Sequence, residues 1–304
     1  MARWIKILLI VVAVIVIGGG AFLFLGTLKR GGSTSSSPKP TPSINPASAS
    51  DAAGFELKKS SAYYTVYYHT GDDANADKTL EVLGQAVDQY YKTYYGITPQ
   101  NTPVYLALTV DEYVKVADFP GGKENVQIGD GSAPNGKIYL YKPFDDPQKG
   151  EGVIIHEGAH AAVYSFLGGG QLMENIPGFL NEGMAYHVEY AYNAGTDYKP
   201  LKEIYFVDLL RKAANTSTPA LMSLDELGKN CEGYISDENR NGLCRGQGTF
   251  TVWHMAKNYG QDFWAKFLAD IKTSNPWQKS LETLSGKSID QLSQEINEAL
   301  KSQL

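Results

Sequence analysis

The segment Val153-Ile154-Ile155-His156-Glu157-Gly158-Ala159-His160 decides the reading of this chain. Its apolar lead-in suits a helix, and on a helix residues four apart lie one turn above each other on one face. Two imidazoles so placed, His156 and His160, can share one zinc ion through their ring nitrogens. Glu157 sits next along the same helix, where it reaches a water rather than the ion. Neutral imidazole ligands leave the ion positive enough to bring the pKa of its water to about 7. A carboxylate beside that water can take the proton and later pass it to a leaving group. The pentapeptide pattern also occurs by chance on helix surfaces, so the chain must supply a third ligand to complete the case.

That ligand is sought downstream, in Ile176-Pro177-Gly178-Phe179-Leu180-Asn181-Glu182-Gly183-Met184-Ala185-Tyr186. Pro177 can open a helix, and Phe179, Leu180, Met184 and Ala185 give it an apolar side. Glu182 follows His160 by enough residues for the first helix to end, turn through Gly168-Gly169-Gly170 and return. A catalytic zinc takes three protein ligands and keeps one position open, so the expected set is His156, His160 and Glu182. Glu189 is the fallback ligand and Glu174, which precedes Pro177, a poorer one.

Working outward toward the N-terminus, Lys137–Tyr141 reads as a strand, as do Pro103–Val110 and Tyr63–His69, all rich in β-formers. A short helical turn starts at Asp111. Between the first two strands, apolar residues recur at helical spacing from Ala76 to Tyr95 and stop at Gly96. From about Gly152 onward helical patterns dominate, and no internal repeat is visible. A small N-terminal mixed sheet with one helix, followed by a mostly helical half carrying the metal site, is an α+β fold.

Residues 7–28 run ILLIVVAVIVIGGGAFLFLGTL without a charge, the length a helix needs to cross a bilayer. The expected organisation is a short cytoplasmic N-terminus over 1–6, a transmembrane anchor over 7–28, a flexible Ser/Pro/Gly-rich tether over 29–54 and a domain over 55–304. Cys231 and Cys244, the only cysteines, flank a polar loop and suit a disulfide in an oxidising compartment. The expectation is therefore a single-pass membrane protein, held in the lipid bilayer through 7–28, with its domain outside the cytoplasm. The chain has a formal net charge of −6, and residues 1–54 hold five of its 27 basic and one of its 33 acidic residues. The remainder is therefore at −10, which argues against a nucleic-acid partner.

HEGAH followed by FLNEGMAYHVE resembles the gluzincin zinc peptidases, in particular the peptidase MA-like group, where an HExxH helix is followed by one bearing Glu-Gly-x-Ala. The resemblance is specific from Val153 to Tyr190. It extends more softly through YYGITP, PVYLAL and GKIYLY to GTFTVWHMAKNYGQDFWAKFLADI, which is similar to the late helices of that group. It implies His156 and His160 as zinc ligands, Glu157 as catalytic base, Glu182 as third ligand, and a peptide or protein substrate. Two positions depart from the pattern. Phe179 stands where many members have another aromatic, often Trp. Tyr186 stands where some have an acid that orients a zinc histidine.

A donor is also needed for the oxygen that gains charge in peptide hydrolysis. The candidates are Tyr186, His187, Tyr234, Arg245, His254 and Tyr259, with a hydrogen bond that orients a zinc ligand as the other role open to them. Three rival functions remain to be weighed. A zinc amidohydrolase acting on a cell-envelope amide would share the core, whereas a non-catalytic surface binding module would have no chemical need for Glu157. An intramembrane protease is excluded because the pentapeptide lies far from the apolar run.

Overall fold

The computed structural model describes residues 43–46, 54–119, 122–146, 149–194, 201, 207–215, 220–232 and 237–304. Its strands form one six-stranded sheet in the order β1-β2-β3-β4-β6-β5. The strands are β1 Ser43–Pro46, β2 Leu57–Ser60, β3 Tyr64–Tyr68, β4 Thr102–Ala107, β5 Gly131–Ser132 and β6 Ile138–Tyr141. The three inner strands β3, β4 and β6 run parallel, with Val104 paired to both Val66 and Ile138. β1, β2 and β5 are antiparallel to their neighbours.

Alternation along each strand gives the sheet two faces. On one, Tyr67, Tyr105 and Tyr139 occupy one register row and stack at 5.0 Å between ring centroids. Helix α2 (Val110–Ala117) covers that row through Tyr113. Its N-terminus is capped by Thr109, whose side chain accepts from the Glu112 amide. The other face, with Tyr64, Val66, Tyr68, Leu106, Ile138 and Leu140, joins the main core beneath the helices.

Helix α1 (Asp73–Ala86) runs on into a wider π-helical stretch, Val87–Tyr95, and ends at Gly96 in the left-handed conformation, φ 64°. The helical half follows: α3 Gly150–Leu167, α4 Gly170–Met173, α5 Gly178–Ala194, α6 Val207–Asn215, α7 Leu224–Asn230, α8 Glu238–Tyr259, α9 Phe263–Ile271, α10 Trp277–Ser285 and α11 Ile289–Gln303. The fold is α+β, with the sheet on the N-terminal side of a mostly helical half.

Three strands, β1, β2 and β5, fall where the sequence reading placed none. β2 carries Lys59, 3% exposed, its ammonium 3.3 Å from Asp73 and 3.0 Å from Asp77 of α1. β1 lies within the segment read as a tether. Cys231 and Cys244 are disulfide-bonded, joining the end of α7 to α8.

Among the described residues no helix is long and apolar enough to cross a membrane. The two longest, α3 and α8, are interrupted by charges: Glu151 and Glu157 in the first, Glu238, Arg240, Arg245 and Lys257 in the second. The expected span over 7–28 lies outside the described residues. The single-pass, bilayer-bound, extracytoplasmic placement is corrected on this finding: no described helix supplies the uncharged run of about 20 residues that a span requires.

Candidate metal centre

Helices α3 and α5 pack antiparallel, with Gly152 facing Glu189 and Asn193 and, two turns on, His160 facing Glu182. Two tyrosines of the π-helical stretch brace their backbones. The Tyr91 hydroxyl donates to the Ile155 carbonyl at 2.6 Å and that of Tyr95 to the Met184 carbonyl at 2.5 Å. Gly158 lets α3 come this close, since a Cβ there would stand 2.5 Å from the Tyr91 hydroxyl.

The Nε2 atoms of His156 and His160 are 3.2 Å apart. Glu182 Oε1 lies 3.5 Å from the second and Oε2 3.8 Å from the first. Ligand atoms held tetrahedrally at about 2.0–2.2 Å from zinc are separated by roughly 3.3–3.5 Å. The three side chains therefore fit one zinc ion closely, and among the described residues they are the one such group, all within 4.8 Å. Hydrogen bonding favours the same assignment. His156 Nδ1 is 2.9 Å from Glu189 Oε2, and a carboxylate only accepts, so the proton belongs on Nδ1 and a lone pair on Nε2. Buried Glu182 Oε2 and His160 Nδ1 have no hydrogen-bond partner.

The electrostatics show how tightly the group is coupled. Burial disfavours a charged His160, yet the Glu182 carboxylate beside it overrides this and raises its pKa to about 9. Burial likewise opposes ionisation of Glu182, but His160, His156 and Arg245 hold its carboxyl far below the usual range. Glu157, enclosed between the helix and the sheet edge, is pushed up, chiefly by burial. Its Cγ would lie 2.7 Å from a Cβ at Gly131, so β5 approaches Glu157 this closely only because that residue is glycine.

No protein-family model matches the chain, and no curated protein does. Among solved structures it is similar to a two-domain M1 zinc metallopeptidase, a glutamate-to-alanine mutant bound to L-tryptophan, at 12% identity and TM-score 0.44, over 84% of this chain and 51% of that one. It is similar also to an M1 zinc metallopeptidase from Deinococcus radiodurans, again a glutamate-to-alanine mutant, bound to a Tyr-Ser-Ala substrate. That likeness has 14% identity and TM-score 0.43, over 84% of this chain and 51% of the other. The chain thus spans about half the length of each. Likenesses this distant carry no argument about activity, which must be read from the side chains.

Of the remaining sequence candidates, Tyr186 lies at the centre. Its ring meets that of His156 edge-on at 4.4 Å, and its hydroxyl accepts from Arg245 Nη1 at 2.9 Å. Burial raises its pKa well above the usual phenol value, keeping it protonated. His187 faces away from the ligands, buried against Tyr94, and burial lowers its pKa to about 4. His254 and Tyr259 both bond to Glu295 of α11, at 2.8 Å in each case, and belong to a network joining α8 to that helix. Tyr234 lies outside the described residues. Glu174 closes α4 and is not among the grouped ligands.

Two residues named in the sequence reading take places it did not give them. Glu189, offered there as a fallback ligand, sits behind His156 and holds its ring. Its signal was available: it lies seven residues, two helical turns, beyond Glu182 on the same face. Arg245 comes from α8, a helix that reaches α5 through two glycines. A Cβ at Gly183 would stand 2.6 Å from the Gly248 carbonyl, and one at Gly248 would stand 2.1 Å from the Phe179 carbonyl. The Gly of the Glu-Gly-x-Ala pattern is thus the contact that brings a cation beside Glu182.

Proposed function

We propose that this chain is a zinc-dependent metallopeptidase of the gluzincin type. The observation that carries the reading is the convergence of His156 Nε2, His160 Nε2 and the Glu182 carboxylate, with Glu157 on the same helix and next to the first ligand. When bound, a zinc ion supplies a Lewis acid and an acidified water.

The chain's own groups do the rest. Glu189 holds the His156 tautomer that leaves Nε2 free to ligate. Glu157 takes the proton of the attacking water as its oxygen bonds to the carbonyl carbon and the C=O π pair moves onto oxygen. The same carboxyl then delivers that proton to the amide nitrogen as the C–N bond breaks. A peptide is favoured as substrate by β5, an edge strand whose Gly131 touches Glu157. An extended peptide added to such an edge would bring its carbonyls past the base.

The test is metal analysis of the purified chain beside Glu182→Ala. One zinc per chain, lost or weakened in the variant, followed by cleavage in a peptide library, is the expected result. A wild-type chain that takes up no metal when zinc is supplied would overturn the reading.

A further inference from the structure

Arg245 stands at the mouth of the metal centre. The side chains of His156 and His160 are 10% and 12% exposed, whereas those of Glu182 and Arg245 are 32% and 34% exposed. The ligand group is therefore more open to solvent at Glu182 and Arg245 than at the two histidines. Glu157 borders β5 at Gly131, and Arg245 reaches Glu182 from α8, so the two groups meet the ligand side chains from different elements.

The guanidinium is held but not used up. Its Nη1 donates to Tyr186, and its buried Nε, 3.5 Å from Glu182 Oε2, has no hydrogen-bond partner. An arginine has five N–H donors in a rigid fork suited to tetrahedral and planar oxyanions. The Tyr186 hydroxyl, accepting from Arg245, keeps its own proton available to donate. The backbone at Arg245 is fixed as well. Cys244 is tied to Cys231, and the Thr249 hydroxyl donates to the Arg245 carbonyl at 2.8 Å. Preorganised donors of this kind, aimed where charge develops, stabilise a transition state more than they stabilise the ground state.

We propose that Arg245, aimed by Tyr186, is the oxyanion-facing catalytic residue of this centre, the donor to the carbonyl oxygen that becomes negative on attack. The assignment rests on the metallopeptidase reading above and deepens it. A purely structural role, in which Arg245 only offsets the carboxylates of Glu157 and Glu182, makes a different prediction for anion binding.

The probe is inorganic phosphate, a tetrahedral oxyanion, titrated calorimetrically into the zinc-loaded full chain. Wild type is expected to bind it at one site. Arg245→Met should weaken that binding about tenfold or more, the scale of a lost charge-assisted hydrogen bond. Arg245→Lys keeps the charge without the fork and should fall between the two. Tyr186→Phe removes only the hydroxyl that aims the guanidinium, so it should weaken phosphate severalfold and keeps the test standing if Arg245→Met does not fold. Zinc affinity, measured separately against a chelating indicator, should change less than phosphate affinity in Arg245→Lys and Tyr186→Phe. Phosphate bound equally by wild type and the Arg245 variants, or not bound by the zinc-loaded wild type, overturns the assignment. A wild type that takes up no zinc overturns the metal-centre reading instead. On a cleaved peptide, the same variants should lower kcat with KM little changed, as for an interaction made only in the transition state.

Discussion

Replacing Glu189 tests the scaffold of the metal centre without touching a ligand. Its Oε2 lies 2.9 Å from His156 Nδ1, a charge-assisted hydrogen bond about twice as strong as its neutral counterpart. Glu189→Gln keeps the shape and an amide oxygen that can still accept, but removes the charge. Glu189→Ala leaves the Nδ1 hydrogen of a ring only 10% exposed with nothing to receive it, a penalty of about 1–3 kcal/mol. The ring is then free to adopt the tautomer that puts a proton on Nε2, where the ion must bind. Losing such a partner behind a metal-bound histidine typically costs about 10–100-fold in affinity. We expect Glu189→Gln near the low end of that range and Glu189→Ala near the high end. The assay is competition for zinc against a chelating indicator at neutral pH, with far-UV circular dichroism and melting temperature showing that each variant is folded. A folded Glu189→Ala chain that binds zinc within about twofold of wild type would refute the reasoning, because the expected loss is several times larger.

Three further predictions concern separate parts of the molecule. Glu157→Gln should retain zinc while its turnover falls by about 10²–10⁴, the contribution of a positioned base; parallel metal analysis and peptide cleavage check this. Gly183→Ala forces a methyl into the Gly248 carbonyl and should destabilise the fold by about 1–3 kcal/mol, read as a lowered urea midpoint, with weakened zinc retention. The third prediction concerns Glu295. Burial alone would raise its pKa, but Lys287, His254 and Tyr259 pull it down to about 2. A depressed folded-state value adds stability above the unfolded-state pKa of about 4.3, and that stability is lost as pH falls from there toward 2. Wild type should therefore lose stability relative to Glu295→Gln between those limits, by on the order of 1 kcal/mol after solvent screening. Equal urea midpoints for the two chains across that pH range would contradict it.

The grouping of His156, His160 and Glu182 was legible because ligand chemistry admits few residue types and helical spacing fixes their separation. His156, His160 and Glu182 lie on two successive helices joined by a short turn, so local pattern suffices. Arg245 lies on a later helix, and its approach depends on the Gly183–Gly248 crossing, a long-range contact that no local pattern encodes. The three strands of the parallel centre were readable from their β-branched and aromatic residues. β2 was not, because a lysine in a four-residue strand reads as surface until Asp73 and Asp77 are seen to hold it. β5, two residues long, has no periodicity to detect. The helical pattern over 76–95 was visible, but its change of winding at Val87, which turns Tyr91 and Tyr95 onto the backbones of α3 and α5, was not. The apolar run at 7–28 matched a membrane span in length and charge, yet the described helices contain none.

The enclosure of α3 has a consequence for how the protein comes apart. From Ile154 to Val163 all but one residue of this helix are buried, between the sheet, the tyrosine-bearing stretch and α5. A helix so surrounded has no local route to solvent, so its amide hydrogens should exchange only when the whole core opens. The element that carries both histidines would then belong to the slowest-exchanging part of the chain. Stripping the centre of its ligands would amount to unfolding the protein, with no intermediate step in which a loop lifts away.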